Sequence, residues 1–134
     1  MLTIWQAPIT RPTKDIDFLG RMDNDIKAVV LAIKEICIQE VEPDGIIFDH
    51  DSVLGQRITE DADYAGVHVR FRGNLSTARI SMQLDIGFGD EVFPPTEKVE
   101  YPTILPGFPP PVLRCYSKES QVAEKFEAMV KWAN

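Results

Sequence analysis

The spacing of apolar and polar residues changes along the chain, and each spacing predicts a different element. In the stretch 13–19 the two kinds of residue alternate, which is typical of a strand. Residues 24–41 then carry apolar side chains three and four positions apart, the spacing of an amphipathic helix. Asp23 or Asn24 is expected to cap the start of this helix. The first part of the chain therefore predicts a strand followed by a helix.

Alternation returns after the turn signal at 43–45 and predicts several further strands. The clearest covers 78–88, where every second residue is apolar from Ala78 to Phe88. A turn is expected at Gly73-Asn74, shortly before this strand. Three shorter strands are predicted upstream, at 45–48, 53–59 and 67–71.

The last part of the chain combines a proline-rich stretch with a second helix. Seven of the ten prolines lie in residues 92–111, which predicts loop or sheet edge because proline has no N–H to donate. A short strand is predicted at 113–116, and Ser117 is expected to cap the helix that follows. This order of elements predicts an α+β fold with a mixed, largely antiparallel sheet and flanking helices.

Length, charge and cysteine content narrow the class of protein. The 134 residues suit a single domain, and a net charge of −7 argues against a broad basic surface for nucleic acid. No apolar run is long enough to span a membrane, and the first residues do not form a signal peptide. Cys37 and Cys115 are not in a CxxC pair, so we expect reduced thiols in a cytoplasmic protein, with a disulfide as the alternative.

Asp15 and Asp17 are the first candidates for a chemical site. They are two residues apart on a predicted strand, so both carboxylates face the same side. Two acids this close repel each other unless a cation or a proton lies between them. Carboxylates, waters and substrate phosphates are the usual ligands of Mg²⁺. The pair indicates a metal site, with a solvated strand face as the alternative.

Asp85 and Lys125 extend this hypothesis. Asp85 lies near the middle of the clearest strand, on the face opposite its apolar residues. If that strand neighbours the first strand, three carboxylates converge, and three carboxylates can hold two Mg²⁺ ions. The alternative is an exposed acid that pairs with a base across the strands. Lys125, beside the apolar stripe of the last helix, is either a solvated lysine or a cation that contacts a triphosphate.

The two histidines receive a plainer interpretation. The cluster Asp49-His50-Asp51 is predicted to be a solvated turn, and His68 is predicted to be an ordinary strand-face residue rather than a ligand. No combination of cysteine and histidine indicates a zinc site. The sequence also lacks a P-loop, a GxGxxG motif and a GxSxG motif.

Four segments, in this order and approximate spacing, resemble the AbiEii/AbiGii-type nucleotidyltransferase toxin family. They are Arg11–Asp17, Asp85–Asp90, Tyr101–Pro106 and Ala123–Lys125. The resemblance implies a fold like that of the polymerase-beta-like nucleotidyltransferases. It also implies a metal-dependent bacterial toxin of an abortive-infection toxin–antitoxin pair, which transfers a nucleotide from an NTP to an RNA or protein acceptor.

The resemblance also implies roles for individual residues. Asp15 and Asp17 match the family's DxD metal pair, and Asp85 matches its third carboxylate. These three residues are therefore the expected catalytic and metal-binding set for Mg²⁺ or Mn²⁺. Lys125 matches the lysine of the A-E-K helix and is the expected nucleotide-binding residue.

Two departures from the family pattern leave two hypotheses open. The family places a glycine motif that holds the triphosphate just before the DxD strand, but residues 1–10 contain no glycine. The family also continues beyond the A-E-K helix. We therefore expect 1–134 to be a single nucleotidyltransferase-like domain without the glycine motif and the C-terminal helices. It is either an active enzyme or a catalytically inactive relic that binds a partner. The apolar residues Met1–Trp5 resemble a truncated helix, and a homodimer or an antitoxin is expected to cover them.

Overall fold

The computed structural model describes residues 15–58, 66–89, 91–103 and 106–132, and for Asp15 the description covers the backbone. These residues form two helices, a four-stranded mixed sheet and a two-stranded antiparallel sheet. The predicted α+β fold is confirmed. The chain divides into two compact units, Thr13–Asp90 and a second that contains Glu91–Asn134.

The first unit holds the larger sheet and one helix. Its elements are β1 (Asp15–Gly20), α1 (Ile26–Cys37), β2 (Ile46–Ile58), β3 (Gly66–Leu75) and β4 (Ala78–Phe88). The strand order is β1-β4-β3-β2, with β1 parallel to β4 and the other neighbours antiparallel. The bounds of β4 are those predicted from its alternation.

Helix α1 packs against one face of this sheet and forms the core with it. Gly55 of β2 lies directly under the helix, since a Cβ atom at this position would lie 2.8 Å from a methyl group of Val30 and 2.9 Å from one of Ile26. This close approach requires a residue without a side chain. The buried core residues are Val29, Val53, Val67, Val69, Phe71, Leu84 and Ile86.

Both ends of α1 differ from the prediction. The N-cap is Asp25, not Asp23 or Asn24: its carboxylate accepts a hydrogen bond from the Ala28 N–H at 3.0 Å. The helix ends at Cys37 rather than at 41. Gln39 terminates it by donating from its backbone N–H to the Ile36 carbonyl and from its side chain to the Glu35 carbonyl, both at 3.2 Å.

The prediction of two short strands at 45–48 and 53–59 was wrong, because β2 is continuous. The cluster Asp49-His50-Asp51, predicted to be a turn, lies inside β2, where the register with β3 shifts between Asp49 and Leu54. Ser52 stabilises this β-bulge. Its hydroxyl donates to the Asp49 carbonyl at 2.6 Å and accepts the N–H of Arg72 at 2.9 Å.

The predicted turn at Gly73-Asn74 was also wrong. Both residues lie within β3, and the turn that joins β3 to β4 is at Ser76-Thr77, with Ser76 at a φ of 53°. Gly73 is buried in the sheet, where a Cβ atom would lie 3.3 Å from a methyl group of Ile46. A glycine at position 73 is therefore explained by close packing in the sheet rather than by a turn.

The second unit contains β5 (Glu97–Glu100), β6 (Val112–Cys115) and α2 (Lys118–Trp132). Strands β5 and β6 pair antiparallel, so β5 lies within the proline-rich stretch 92–111. The predicted cap of α2 is confirmed, since the Ser120 N–H donates to the Ser117 hydroxyl at 3.1 Å. Cys37 and Cys115 are free thiols, as predicted. Neither helix of the described ranges has the length and apolar character needed to cross a membrane.

Candidate functional site

The face of the larger sheet opposite α1, called the polar face below, carries a row of polar residues. Asp17 of β1 is in register with Asp85 of β4, and Asp85 is in register with His68 of β3. Gln56 of β2 continues the row beyond His68. Val67 and Val69 flank His68, and Leu84 and Ile86 flank Asp85, while Ile16 precedes Asp17. These neighbours contribute to the core, so alternation directs Asp17, Asp85 and His68 to the polar face.

Asp17 and Asp85 are neighbours because β1 and β4 are adjacent parallel strands. Adjacent strands lie about 4.8 Å apart, so the two backbones hold these carboxylates side by side. Asp17 is exposed, and the Asp85 side chain is 37% exposed. The adjacency of the two strands, which the convergence of the carboxylates requires, is therefore present.

Asp15 is two positions before Asp17 and in register with Gln83 of β4. Its backbone thus occupies a position on the same strand face as Asp17. In the part of the chain whose side chains are described, no group of three His, Cys, Asp or Glu residues is placed to hold a metal ion. The roles assigned to Asp15, Asp17 and Asp85 stay predictions.

Asp85 contacts His68, which its place in the strand alternation predicts to be an ordinary strand-face residue. The Nδ1 atom of His68 lies 2.5 Å from Oδ1 of Asp85, and the two side chains are 26% and 37% exposed. A carboxylate oxygen only accepts, so the proton of this bond belongs to Nδ1. The cross-strand base considered as an alternative for Asp85 is therefore present, and it is a histidine beside the carboxylate pair.

The sequence signal for His68 was its position between two apolar residues of a strand. Val67 and Val69 are fully buried, which sends the histidine to the polar face. That position could be read from the alternation. Its partner could not, because the partner depends on the register between β3 and β4.

The cluster Asp49-His50-Asp51 makes local contacts of its own. Asp49 forms an ion pair with Arg72 of β3 at 2.9 Å, and His50 lies 3.4 Å from Asp51. The Arg72 charge offsets that of Asp49. These contacts occupy the cluster at the bulge of β2 and do not involve the row described above.

Lys125 lies on α2, in the second compact unit, and its side chain is exposed. Its contact with a nucleotide stays a prediction. The apolar residues beside it, Val122 and Phe126, are also exposed.

The described residues of the site can bind a cation through their carboxylate oxygens. Two carboxylates on adjacent strands form a hard, anionic donor set that suits a divalent cation or a protonated group. The histidine occupies one oxygen of Asp85, which leaves the other oxygen for a ligand. The arrangement suits phosphoryl-type chemistry, in which positioning and charge stabilisation dominate.

A family-level comparison covers the whole chain. The model described as "Nucleotidyl transferase AbiEii toxin, Type IV TA system" matches residues 1–134, so the match includes both compact units. Searches among curated proteins and among solved structures gave no match.

Proposed function

The chain belongs to the AbiEii family of nucleotidyl transferase toxins from type IV toxin–antitoxin systems, and we propose that it transfers a nucleotide from an NTP to an RNA or protein acceptor with the aid of Mg²⁺ or Mn²⁺. The observation that carries this proposal is the register pairing of Asp17 with Asp85 on adjacent parallel strands. Membership of the family also implies an antitoxin as partner.

The donor set fits a hard divalent cation. Asp17 and Asp85 offer carboxylate oxygens from neighbouring backbones, and Asp15 is the third residue that would hold the metal. Mg²⁺ characteristically takes one or two carboxylates and completes its shell with waters and substrate phosphates. When bound, the metal supplies positive charge for the phosphates and lowers the pKa of an attacking hydroxyl.

The side chains have separate parts in the proposed transfer. Asp15 and Asp17 bind the metal that accompanies the NTP. Asp85 completes the metal site and orients the attacking hydroxyl of the acceptor. Lys125 neutralises phosphate charge on the nucleotide.

The experiment is transfer of a labelled nucleotide in the presence of Mg²⁺, with Asp17→Asn compared with wild type. The substitution keeps the shape of the side chain and removes its charge. We expect transfer to fall by more than about 100-fold, because even the partners of metal ligands are worth about 10- to 100-fold. Asp51→Asn is the matched control, since Asp51 is an aspartate of β2 with a side chain that is 84% exposed. It should transfer at the wild-type rate.

A catalytically inactive, partner-binding protein is the second candidate, favoured by the exposed apolar side chains of Val122 and Phe126 on α2. Thermal melting separates the two candidates. The enzyme is stabilised by Mg²⁺ plus NTP, and Asp17→Asn loses that stabilisation. The inactive protein gains nothing from Mg²⁺ plus NTP, and its Asp17→Asn variant melts at the same or a higher temperature because repulsion between like charges is relieved. If the wild-type protein neither binds nor transfers a nucleotide, the proposed enzymatic activity is refuted.

A further inference from the structure

The sheet fixes the position of the His68 side chain in two ways, through the burial of its neighbours and through the register of β3 with β4. Its neighbours Val67 and Val69 have no exposed surface, so the backbone of β3 is anchored in the core at this point. The register pairs His68 directly with Asp85 across the antiparallel ladder. Side chains at such opposed positions lie within contact distance on the same face of the sheet.

The bond between the two side chains constrains Asp85 more than an exposed ion pair would. The Nδ1–Oδ1 distance is 2.5 Å, and most of each side chain is shielded from solvent, with 26% of His68 and 37% of Asp85 exposed. Hydrogen bonds that involve an ionised group are short and stronger than neutral ones, and reduced solvent contact strengthens them further. A carboxylate held by one oxygen loses its free rotation about the bond to Cβ.

We propose that His68 is a positioning residue of the carboxylate site: its imidazole holds Oδ1 of Asp85 and thereby presents Oδ2, beside Asp17, to a divalent cation. The inference rests on the proposed function for the cation and goes beyond it by assigning a role to a residue of β3. His68 does not touch the metal or the substrate. It acts through Asp85.

Two separate substitutions of His68, by asparagine and by glutamine, distinguish a positioning role from a purely steric one. The side-chain nitrogen of asparagine is as many bonds from Cα as Nδ1 of histidine, so His68→Asn can keep the bond to Asp85. The nitrogen of glutamine lies one bond further out, nearer the place of Nε2, so His68→Gln loses it. His50 supplies the matched control, because it is the second histidine, is exposed, and lies 3.4 Å from an aspartate on β2.

The probe is Mn²⁺ alone, titrated into the full chain without nucleotide and followed by electron paramagnetic resonance of the free ion. We expect His68→Asn to bind within about threefold of wild type. His68→Gln should bind about 10- to 100-fold more weakly, the usual effect of losing a partner of a metal ligand. His50→Asn and His50→Gln should both bind like wild type. Melting curves of all four variants check that they fold.

A second measurement does not depend on any variant or metal. Nitrogen-15 shifts of the wild-type imidazole should show the proton of His68 on Nδ1, as a bond to Oδ1 of Asp85 requires. A spectrum with Nδ1 unprotonated overturns the inference, and it decides the matter alone if His68→Gln does not fold.

Three binding results would also overturn it: no saturable Mn²⁺ binding by wild type, unchanged binding by His68→Gln, or equal losses in His68→Asn and His68→Gln. The expected binding pattern in a protein that transfers no nucleotide would uphold the role of His68 and refute the proposed enzyme. The two proposals can therefore fail separately.

Discussion

Helices α1 and α2 share one kind of sequence pattern, an apolar stripe with a spacing of three and four residues, but their stripes lie in different surroundings. In α1, Val29 is 1% exposed, and the rest of the stripe packs against the core of the larger sheet. In α2, Val122 is 55% exposed and Phe126 is 67% exposed. The pattern predicts a helix and the side that carries its apolar residues, whereas the surface that covers this side depends on the rest of the fold.

The buried residues near the start of α2 are polar instead. Ser120 donates from its hydroxyl to the Phe93 carbonyl at 3.0 Å, and Gln121 donates from its side chain to the Tyr116 carbonyl at 3.1 Å. These bonds hold the first turn of α2 within the second unit. The residues that a homodimer or an antitoxin was predicted to cover, 1–5, lie outside the described residues. The exposed stripe beyond the first turn of α2 is a second apolar surface, and both partners stay predictions.

Substitution of one valine in each helix gives the largest expected contrast. Val29→Ala should lower the free energy of unfolding by about 2 to 3 kcal/mol, because it removes two buried methyl groups from the core. Val122→Ala should change it by less than about 0.5 kcal/mol, as is usual for an exposed position. Urea unfolding of the isolated protein measures both values. Equal losses would show that the stripe of α2 is covered in solution.

Removal of the N-cap of each helix should give a smaller difference in the free energy of unfolding. Ser117→Ala removes the hydroxyl that accepts the Ser120 N–H, and Asp25→Ala removes the carboxylate that accepts the Ala28 N–H. Each should cost about 1 kcal/mol, with the larger loss for Ser117, which is buried and also bonds the Ser120 hydroxyl at 3.1 Å.

Amide hydrogen exchange locates these losses. Protection should fall in α2 alone for Ser117→Ala and in α1 and β2 for Asp25→Ala. A loss of protection throughout the chain in both variants would contradict the separate anchoring of the two helices.

The smallest expected effect is on the reactivity of the two thiols, one in each unit. Burial raises the pKa of both Cys37 and Cys115, and the nearby Asp49 raises that of Cys37 further. Only the thiolate reacts, so both should be alkylated by iodoacetamide more slowly at pH 8 than a cysteine in an unfolded peptide. Asp49→Asn should speed the reaction of Cys37 and leave that of Cys115 unchanged.

These raised pKa values also set the sign of a pH effect on stability. The unfolded chain loses its thiol protons near the ordinary value of 9.0, whereas the folded chain retains them to higher pH. The stabilisation is therefore fully present below pH 9.0 and is lost as the pH rises through the folded pKa values. A free energy of unfolding that rises with pH in this range would contradict the assignment.

Elements with one unbroken period could be predicted from the sequence, and elements with a local irregularity could not. Strand β4 has the predicted bounds because its alternation is continuous. Strand β2 was predicted as two pieces because Asp49-His50-Asp51 interrupts the apolar pattern, and a β-bulge produces the same interruption within a strand. Helix α1 ended early because the side chain of Gln39 bonds a terminal carbonyl, which periodicity does not reveal.

The candidate site also has features that the sequence pattern predicts and features that it does not. The positions of Asp17 and Asp85 on strand faces followed from alternation alone. The bond between His68 and Asp85 depends on where the β3–β4 turn lies. A two-residue turn at Gly73-Asn74 would place His68 opposite Arg79, whereas the turn at Ser76-Thr77 places it opposite Asp85. A shift in the turn thus decides which charge the histidine meets.

The parallel pairing of β1 with β4 has a consequence for the protein during its synthesis. In the described sheet β1 is an edge strand whose neighbour is β4, and β2 and β3 are translated between the two. A nascent chain that has not yet released β4 from the ribosome contains Asp17 without Asp85 or its histidine contact. Because such long-range pairings form late, the carboxylates of Asp17 and Asp85 come together only after β2, β3 and β4 have all been made.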